Sequence, residues 1–183
     1  EYAIGPRFPR PSSANPVVVV LGSSTAAGAG ASSLRDSWAA GLQERLARYG
    51  FELVNRSIPG TATAESLARF SADVTPHKPA FVFLVTSPLN DNFLAAPALA
   101  IERYRQNTLG LIERVRRIGA VPILMTMYPN VRFSRLELDF VDLWTEIAEA
   151  MGWPVLNFMS SVSDPAGAWI PGSHADGIHP SNP

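Results

Sequence analysis

The residues of this chain that could perform chemistry together are a serine, a histidine and an aspartate. Ser24 comes just after a short apolar run, and a serine hydroxyl becomes a nucleophile when a neighbouring base takes its proton. His179 is the candidate base, because a histidine can accept a proton near pH 7. Asp176 could hold the other nitrogen of that imidazole and select its tautomer. These residue types indicate acyl transfer through a covalent intermediate on serine.

Acyl transfer also needs hydrogen-bond donors around the substrate oxygen, because negative charge develops there. The backbone N–H groups of Ser24 and Gly60 and the side-chain amide of Asn90 are donors of the right kind. Each of these residues follows a different apolar run. Loops that follow parallel strands emerge at one edge of a sheet, so these donors and residues 176–179 are expected to meet in one crevice.

Strands alternating with helices must position these residues. The run 17–21, four valines and a leucine, is typical of a strand buried on both faces. The alternation predicts a three-layer α/β/α, flavodoxin-like fold with a five-stranded parallel sheet. Strands are predicted at residues 17–21, 51–55, 80–86, 121–126 and 154–158, and helices over 33–50, around 64–68, over 101–118 and over 134–151.

Local signals refine this pattern. Capping boxes are predicted at residues 33–36 and 134–137, where each would open a helix. The polar stretch 87–92 predicts a turn. Residues at helical spacing are predicted to reach the core, among them Trp38, Phe140 and Trp144.

Composition limits the partners. The formal net charge of −1, from 15 basic and 16 acidic residues, argues against a nucleic-acid partner, which requires concentrated positive charge. The absence of cysteine excludes disulfides, thiolate catalysis and cysteine-ligated zinc. No apolar run approaches the roughly 20 residues of a membrane span. A Pro-rich lead-in, residues 1–16, and one domain, residues 17–183, are expected. Since the chain begins with Glu1 and not Met, export is left open, and a secreted or periplasmic location is favoured.

In order and spacing, four blocks within residues 17–180 resemble the SGNH (GDSL-type) serine hydrolases. The blocks are Gly22-Ser-Ser-Thr-Ala-Ala-Gly28, Asn55-Arg-Ser-Ile-Pro-Gly60-Thr, Asn90-Asp91 and Asp176-Gly-Ile-His179-Pro. The resemblance implies the SGNH hydrolase fold, with Ser24 as nucleophile and with Asp176 and His179 completing a triad. It also implies that Ser24, Gly60 and Asn90 form the oxyanion hole of an esterase that needs no metal and no organic cofactor.

The chain departs from the family pattern in three places. Ser23 stands where the family usually has Asp, and the register of the resemblance favours Ser24 over Ser23 as nucleophile. Pro88 and Leu89 precede Asn90 where the family usually has a glycine, so a different turn is expected there. The sequence ends four residues after His179, where the family usually continues into a closing helix, and a looser His179 loop is therefore expected.

The resemblance leaves the substrate open. A shallow crevice built from loops suits small acyl groups, such as acetyl on a carbohydrate, or one chain of a lysolipid. Transfer of the acyl group to a second alcohol is a related possibility. Trp169 is a candidate wall of the substrate pocket, and the alternative is a packing role under a loop.

Three other interpretations remain at this stage. Residues 22–30 could bind a phosphate or nucleotide at a helix N-terminus, although the glycine pattern fits neither the dinucleotide fingerprint nor a P-loop. The domain could have the SGNH fold and bind a ligand without catalysis. His174, Asp176 and His179 could ligate a metal, although no further cluster supports a closed site.

Overall fold

The computed structural model describes residues 11–93, 97–126, 129, 141–152 and 155–181. The strands are β1 (Val17–Gly22), β2 (Glu52–Asn55), β3 (Phe81–Val85) and β4 (Val121–Leu124). The helices are α1 (Trp38–Ala47), α2 (Thr63–Asp73), α3 (Pro88–Phe93), α4 (Pro97–Arg117) and α5 (Val141–Met151). Short 3₁₀ turns lie at Leu34–Asp36, Thr75–His77 and Met159–Ser161. The strands pair in parallel in the order β2-β1-β3-β4, which confirms the predicted α/β fold with a parallel sheet.

Strand β1 lies in the interior of this sheet. Val18, Val19 and Val20 are each at most 1% exposed, although successive side chains of a strand point to opposite faces. Both faces of β1 are therefore covered, as the continuous apolar run predicts. The core around it includes Phe70, Leu84, Tyr104, Leu111, Trp144 and Ile147.

The prediction of a fifth strand is wrong for the described residues, which form four. Leu156 makes one parallel bridge with Met125, just beyond the end of β4. The next backbone N–H in line, that of Phe158, donates to the side-chain Oγ1 of Thr126 at 2.8 Å. The ladder ends there because a side chain, and not a strand carbonyl, takes that donor. Residues 153–154 lie outside the described residues.

Helix α1 begins later than its sequence signal predicts. The Ser33 hydroxyl donates to the carboxylate of Asp36 within the 3₁₀ turn, and Ser37 caps the helix by accepting from the N–H of Ala40. Trp38 is only partly buried, so its assignment to the core is corrected.

The stretch after β3 is helical and not a turn. Pro88 occupies the first position of α3, where its missing N–H costs nothing and its fixed φ suits a helix. The second capping box, residues 134–137, and Phe140 lie outside the described residues. None of the helices in the described part of the chain is both long enough and apolar enough to cross a membrane.

Candidate active site

The turn that carries Ser24 leaves β1 and stays close to the end of β3. The N–H of Ser23 donates to the carbonyl oxygen of Val85 at 3.3 Å, and the N–H of Ala29 donates to the carbonyl of Ser24 at 2.9 Å. A Cβ on Gly22 would lie 2.8 Å from the Val85 oxygen, so only glycine permits this approach. Ser23 is buried within the turn, whereas Ser24 is partly exposed.

His179 joins Ser24 to Asp176. Its Nε2 lies 2.8 Å from the Oγ of Ser24, although the two residues are 155 positions apart in the chain. Its Nδ1 lies 2.7 Å from Oδ2 of Asp176. The structure thus places the three residues in the order hydroxyl, imidazole, carboxylate. In this order the imidazole can take the serine proton while the carboxylate orients the ring.

The second oxygen of Asp176 holds its own turn. Oδ1 accepts the backbone N–H of Ile178 at 2.9 Å and that of His179 at 2.8 Å. Partial burial raises the pKa of Asp176, but the hydrogen bonds from the His179 ring and from these two N–H groups outweigh it and hold the pKa at about 2. Asp176 is therefore a carboxylate at any pH near neutrality.

The donors predicted for the oxyanion hole lie on the segments that follow β1, β2 and β3. Asn90 is in α3, and its Nδ2 donates to the carbonyl of Thr61 at 2.9 Å, which ties it to the residue after Gly60. Gly60 has φ of +78° and open space around it. Among the hydrogen bonds of the described residues, the N–H groups of Ser24 and Gly60 donate to no protein acceptor. Both donors are therefore available to a substrate oxygen.

Asp91, the residue after Asn90, holds α3 against α2. Its carboxylate is buried and accepts the N–H of Thr63 at 3.1 Å and the Thr63 hydroxyl at 2.6 Å. Burial raises the pKa of Asp91, and the hydrogen bonds from Thr63 oppose that rise only in part. Asp91 thus binds the first turn of α2 and anchors α3 against it, which is a structural role.

Two residues that sequence reasoning did not single out hold the loops together. The Arg69 guanidinium donates to the carbonyl of Gly22 at 3.2 Å and to that of Arg56 at 2.6 Å, joining the stretches that lead to Ser24 and Gly60. Gly30 packs against the backbone of Pro180, next to His179. The sequence pattern gives no signal for Arg69, because it has the spacing of any partly exposed arginine on a helix. The only signal for Gly30 is its residue type.

Trp169 lies against the turn of Asp176 and His179. Its indole N–H donates to the carbonyl of Gly177 at 3.0 Å. The ring is partly exposed and packs against the His174 ring, with centroids 5.4 Å apart. Trp169 as a wall of the substrate pocket stays a prediction.

The structure does not favour a metal site at His174, Asp176 and His179 or a phosphate site at residues 22–30. Nδ1 of His174 accepts the N–H of Gly177 at 2.9 Å. The carboxylate of Asp176 is hydrogen-bonded to the backbone N–H and to the ring of His179. Within the described residues no group of three or more His, Asp or Glu side chains is arranged to hold a metal ion. Helix α1 begins only at Trp38, well after Gly30, so a phosphate in the turn would not lie at that helix N-terminus.

Two known proteins align with the chain. Esterase TesA of Pseudomonas aeruginosa is 31% identical over 169 residues, which cover 90% of this chain and 79% of TesA. The uncharacterised lipoprotein YqeF of Bacillus subtilis (strain 168) is 32% identical over 86 residues, which cover 46% of this chain and only 35% of the lipoprotein.

Solved structures show the same fold. A crystal structure of TesA matches with a TM-score of 0.73 and 28% identity, covering 90% of this chain and 89% of that one. A G-D-S-L family protein from Desulfitobacterium hafniense DCB-2 matches with a TM-score of 0.79 and 23% identity, covering 92% of both chains. Residues 20–183 match the GDSL-like lipase/acylhydrolase family. The chain therefore belongs to the GDSL-like lipase/acylhydrolase family.

Proposed function

We propose that this protein is a serine esterase that hydrolyses carboxylic esters through an acyl-enzyme on Ser24. The observation that carries the proposal is the His179 imidazole, which lies within hydrogen-bond distance of the Ser24 hydroxyl on one side and of the Asp176 carboxylate on the other. Membership of a family of lipases and acylhydrolases, and the likeness to an esterase over most of the chain, support ester bonds as the substrate class.

In the first step, the Ser24 oxygen attacks the ester carbonyl carbon and its proton passes to Nε2 of His179. The ionised Asp176 stabilises the imidazolium that forms. The N–H groups of Ser24 and Gly60 and the Asn90 amide would hold the negative oxygen of the tetrahedral intermediate. The intermediate collapses when the alcohol leaves and takes the proton from His179, and the acyl group remains on Ser24.

In the second step, water attacks the acyl carbon while His179 takes one of its protons. A second tetrahedral intermediate forms in the same oxyanion hole, and its collapse returns the proton to the Ser24 oxygen and releases the acid. If another alcohol replaces water, the same step transfers the acyl group to that alcohol. Apart from the ester and the water or second alcohol, the two steps as proposed use groups of the chain itself.

The surroundings of the site favour short acyl groups. Gly60 is exposed with open space around it, and the Asp176 side chain is 52% exposed. Among the described residues, these two positions at the site are open to solvent, which suits a small acyl group and an alcohol part that extends into water. Acetyl groups on a carbohydrate are therefore the first class to test, and lysolipids are the second.

The experiment that tests the proposal is covalent labelling with a fluorophosphonate together with a panel of short p-nitrophenyl esters, sugar acetates and lysolipids. We expect wild type to be labelled on Ser24 and to hydrolyse the short esters, and Ser24→Ala to lose both properties. Ser23→Ala is the matched control and should keep the label, because Ser23 is buried beside the nucleophile.

Two outcomes contradict the proposal. Labelling that survives in Ser24→Ala but not in Ser23→Ala would move the nucleophile to Ser23. A folded wild-type protein that is neither labelled nor active on any ester would instead support a non-catalytic ligand-binding domain, and thermal stabilisation by nucleotides would then test the phosphate-binding interpretation.

A further inference from the structure

Gly177, in the Asp176–His179 turn, has both its backbone N–H and its backbone carbonyl bound by side chains from outside the turn. It is buried and has φ of +79°. Its N–H donates to Nδ1 of His174 at 2.9 Å, and its carbonyl accepts the indole N–H of Trp169 at 3.0 Å. Both polar groups of this one residue are thus bonded to side chains that precede the turn. We refer to Trp169, His174 and Gly177 as the Gly177 clamp.

The clamp is itself fixed in place. The rings of Trp169 and His174 pack against each other with centroids 5.4 Å apart and an interplanar angle of 52°. His174 forms an antiparallel bridge with Pro180, and the N–H of Ala175 donates to the carbonyl of His179 at 2.9 Å. A movement of either ring would therefore be transmitted to the Gly177 backbone.

The backbone of Gly177 controls the carboxylate. Oδ1 of Asp176 is held by the N–H groups of Ile178 and His179, the two residues that directly follow Gly177. The first of these N–H groups belongs to the peptide whose carbonyl Trp169 binds. Rotation of that peptide would redirect the N–H of Ile178 and release the carboxylate that orients the His179 ring.

We propose that Trp169 and His174 are positioning residues that set the geometry of the Asp176–His179 pair through the backbone of Gly177. The inference rests on the proposed function, because it gives these two side chains a part in the serine chemistry. In this proposal, the positioning effect comes from the hydrogen bonds that Nδ1 of His174 and Nε1 of Trp169 make to Gly177, and not from the packing of the two rings. Residues that orient a reacting group affect the rate because small misplacements of that group are costly.

Matched substitutions separate these atoms from the rings. His174→Asn keeps an acceptor oxygen close to the position of Nδ1. His174→Leu has nearly the same shape as the asparagine variant but no acceptor. Trp169→Phe keeps an aromatic ring beside His174 and removes the indole N–H together with part of the ring. His77→Leu is the control for loss of a histidine elsewhere, because the His77 ring contacts the Arg56 guanidinium and not the residues of the Gly177 clamp.

The experiment measures kcat and KM for p-nitrophenyl acetate, the thermal midpoint, and the downfield proton resonance of the hydrogen bond between His179 and Asp176. For His174→Leu and Trp169→Phe we expect kcat to fall by about tenfold with KM within about twofold, because only the catalytic geometry changes. The downfield resonance should broaden or disappear. His174→Asn should restore both readouts to near wild type, and His77→Leu should change neither.

Two results would overturn the inference: wild-type kcat and an intact resonance in both His174→Leu and Trp169→Phe, or equal losses in His174→Asn and His174→Leu, which would make the ring itself the important part. A wild-type protein without esterase activity or fluorophosphonate labelling would contradict the proposed function. The resonance still decides on the clamp in that case, because it requires no turnover.

Discussion

Gly30 and Pro180 contact each other backbone to backbone. A Cβ built on Gly30 would lie 2.2 Å from the carbonyl oxygen of Pro180 and 2.9 Å from the Cβ of His179, and Gly30 has φ of +90°. The loop that follows the nucleophile therefore supports the loop that carries the base. This contact fixes how closely Ser24 and His179 approach, since each residue lies in one of the two loops.

Substitution of Gly30 by alanine should disrupt this contact. We expect Gly30→Ala to lower the free energy of unfolding by about 1–3 kcal/mol, because the new Cβ overlaps backbone and the conformation is strained for alanine. The kcat should fall at least about tenfold, because the His179 loop must move away from Ser24. Thermal melts and ester hydrolysis measure the two effects.

The matched control is Gly41→Ala. Gly41 lies within α1, and its added Cβ would meet nothing within 4 Å. This variant should be more stable than wild type by about 1 kcal/mol through helix propensity, with unchanged kcat. If Gly30→Ala behaved like this control, the contact with Pro180 would not position the base.

Removal of the Asn90 amide should test the oxyanion hole. We expect Asn90→Ala to lower kcat by about 10²–10³-fold with a small change in KM, because the donor acts mainly on the transition state. Loss of the hydrogen bond to Thr61 adds a small loss of stability. Steady-state kinetics and the rate of fluorophosphonate labelling should fall together. A change in KM alone would assign Asn90 to substrate binding.

The depressed pKa of Asp176, about 2 against an ordinary value of 3.8, predicts a pH dependence of stability. Because the folded-state pKa lies below the unfolded one, the stabilisation is fully present above about pH 4 and is lost as the pH falls through about 2. The effect should be small, since the side chain is half exposed and solvent screens it. Asp176→Asn should abolish this component in thermal melts between pH 2 and 5.

The same variant should lower kcat at neutral pH by about 10²–10⁴-fold, because an amide cannot hold the His179 tautomer that accepts the Ser24 proton. Activity of Asp176→Asn within a factor of about two of wild type would remove Asp176 from the proposed mechanism.

Loss of the Arg69 guanidinium should loosen the loops that precede Ser24 and Gly60. We expect Arg69→Met to lower the free energy of unfolding by about 1–3 kcal/mol, because the carbonyl groups of Gly22 and Arg56 lose a charged donor. The kcat should fall several-fold. Arg117→Met is the control. Arg117 is an exposed arginine paired with Glu113, and its loss should change stability by less than about 0.5 kcal/mol. Equal effects in both variants would contradict a specific role for Arg69.

The sequence by itself determined the α/β class, the four strands of the described sheet and their connection in parallel. A continuous apolar run such as Val17–Gly22 can be read directly from the sequence, and it is typical of a strand that is buried on both faces. The order of the polar blocks then predicts that Ser24, Gly60, Asn90 and the Asp176–His179 turn share one edge of the sheet. The family follows from these same blocks.

Tertiary structure decided the features that depend on which hydrogen-bond partner lies nearest in space. The ladder ends at Leu156 because Oγ1 of Thr126, 32 residues away in the chain, accepts the N–H of Phe158. The start of α1 at Trp38 instead follows from a local bond, in which the Ser33 hydroxyl donates to Asp36. Propensity cannot foresee which acceptor lies nearest in space. The contact of His179 with Ser24, the support of its loop by Gly30 and the two bonds on Gly177 all join residues whose distance is set by packing, and only the folded chain defines that distance.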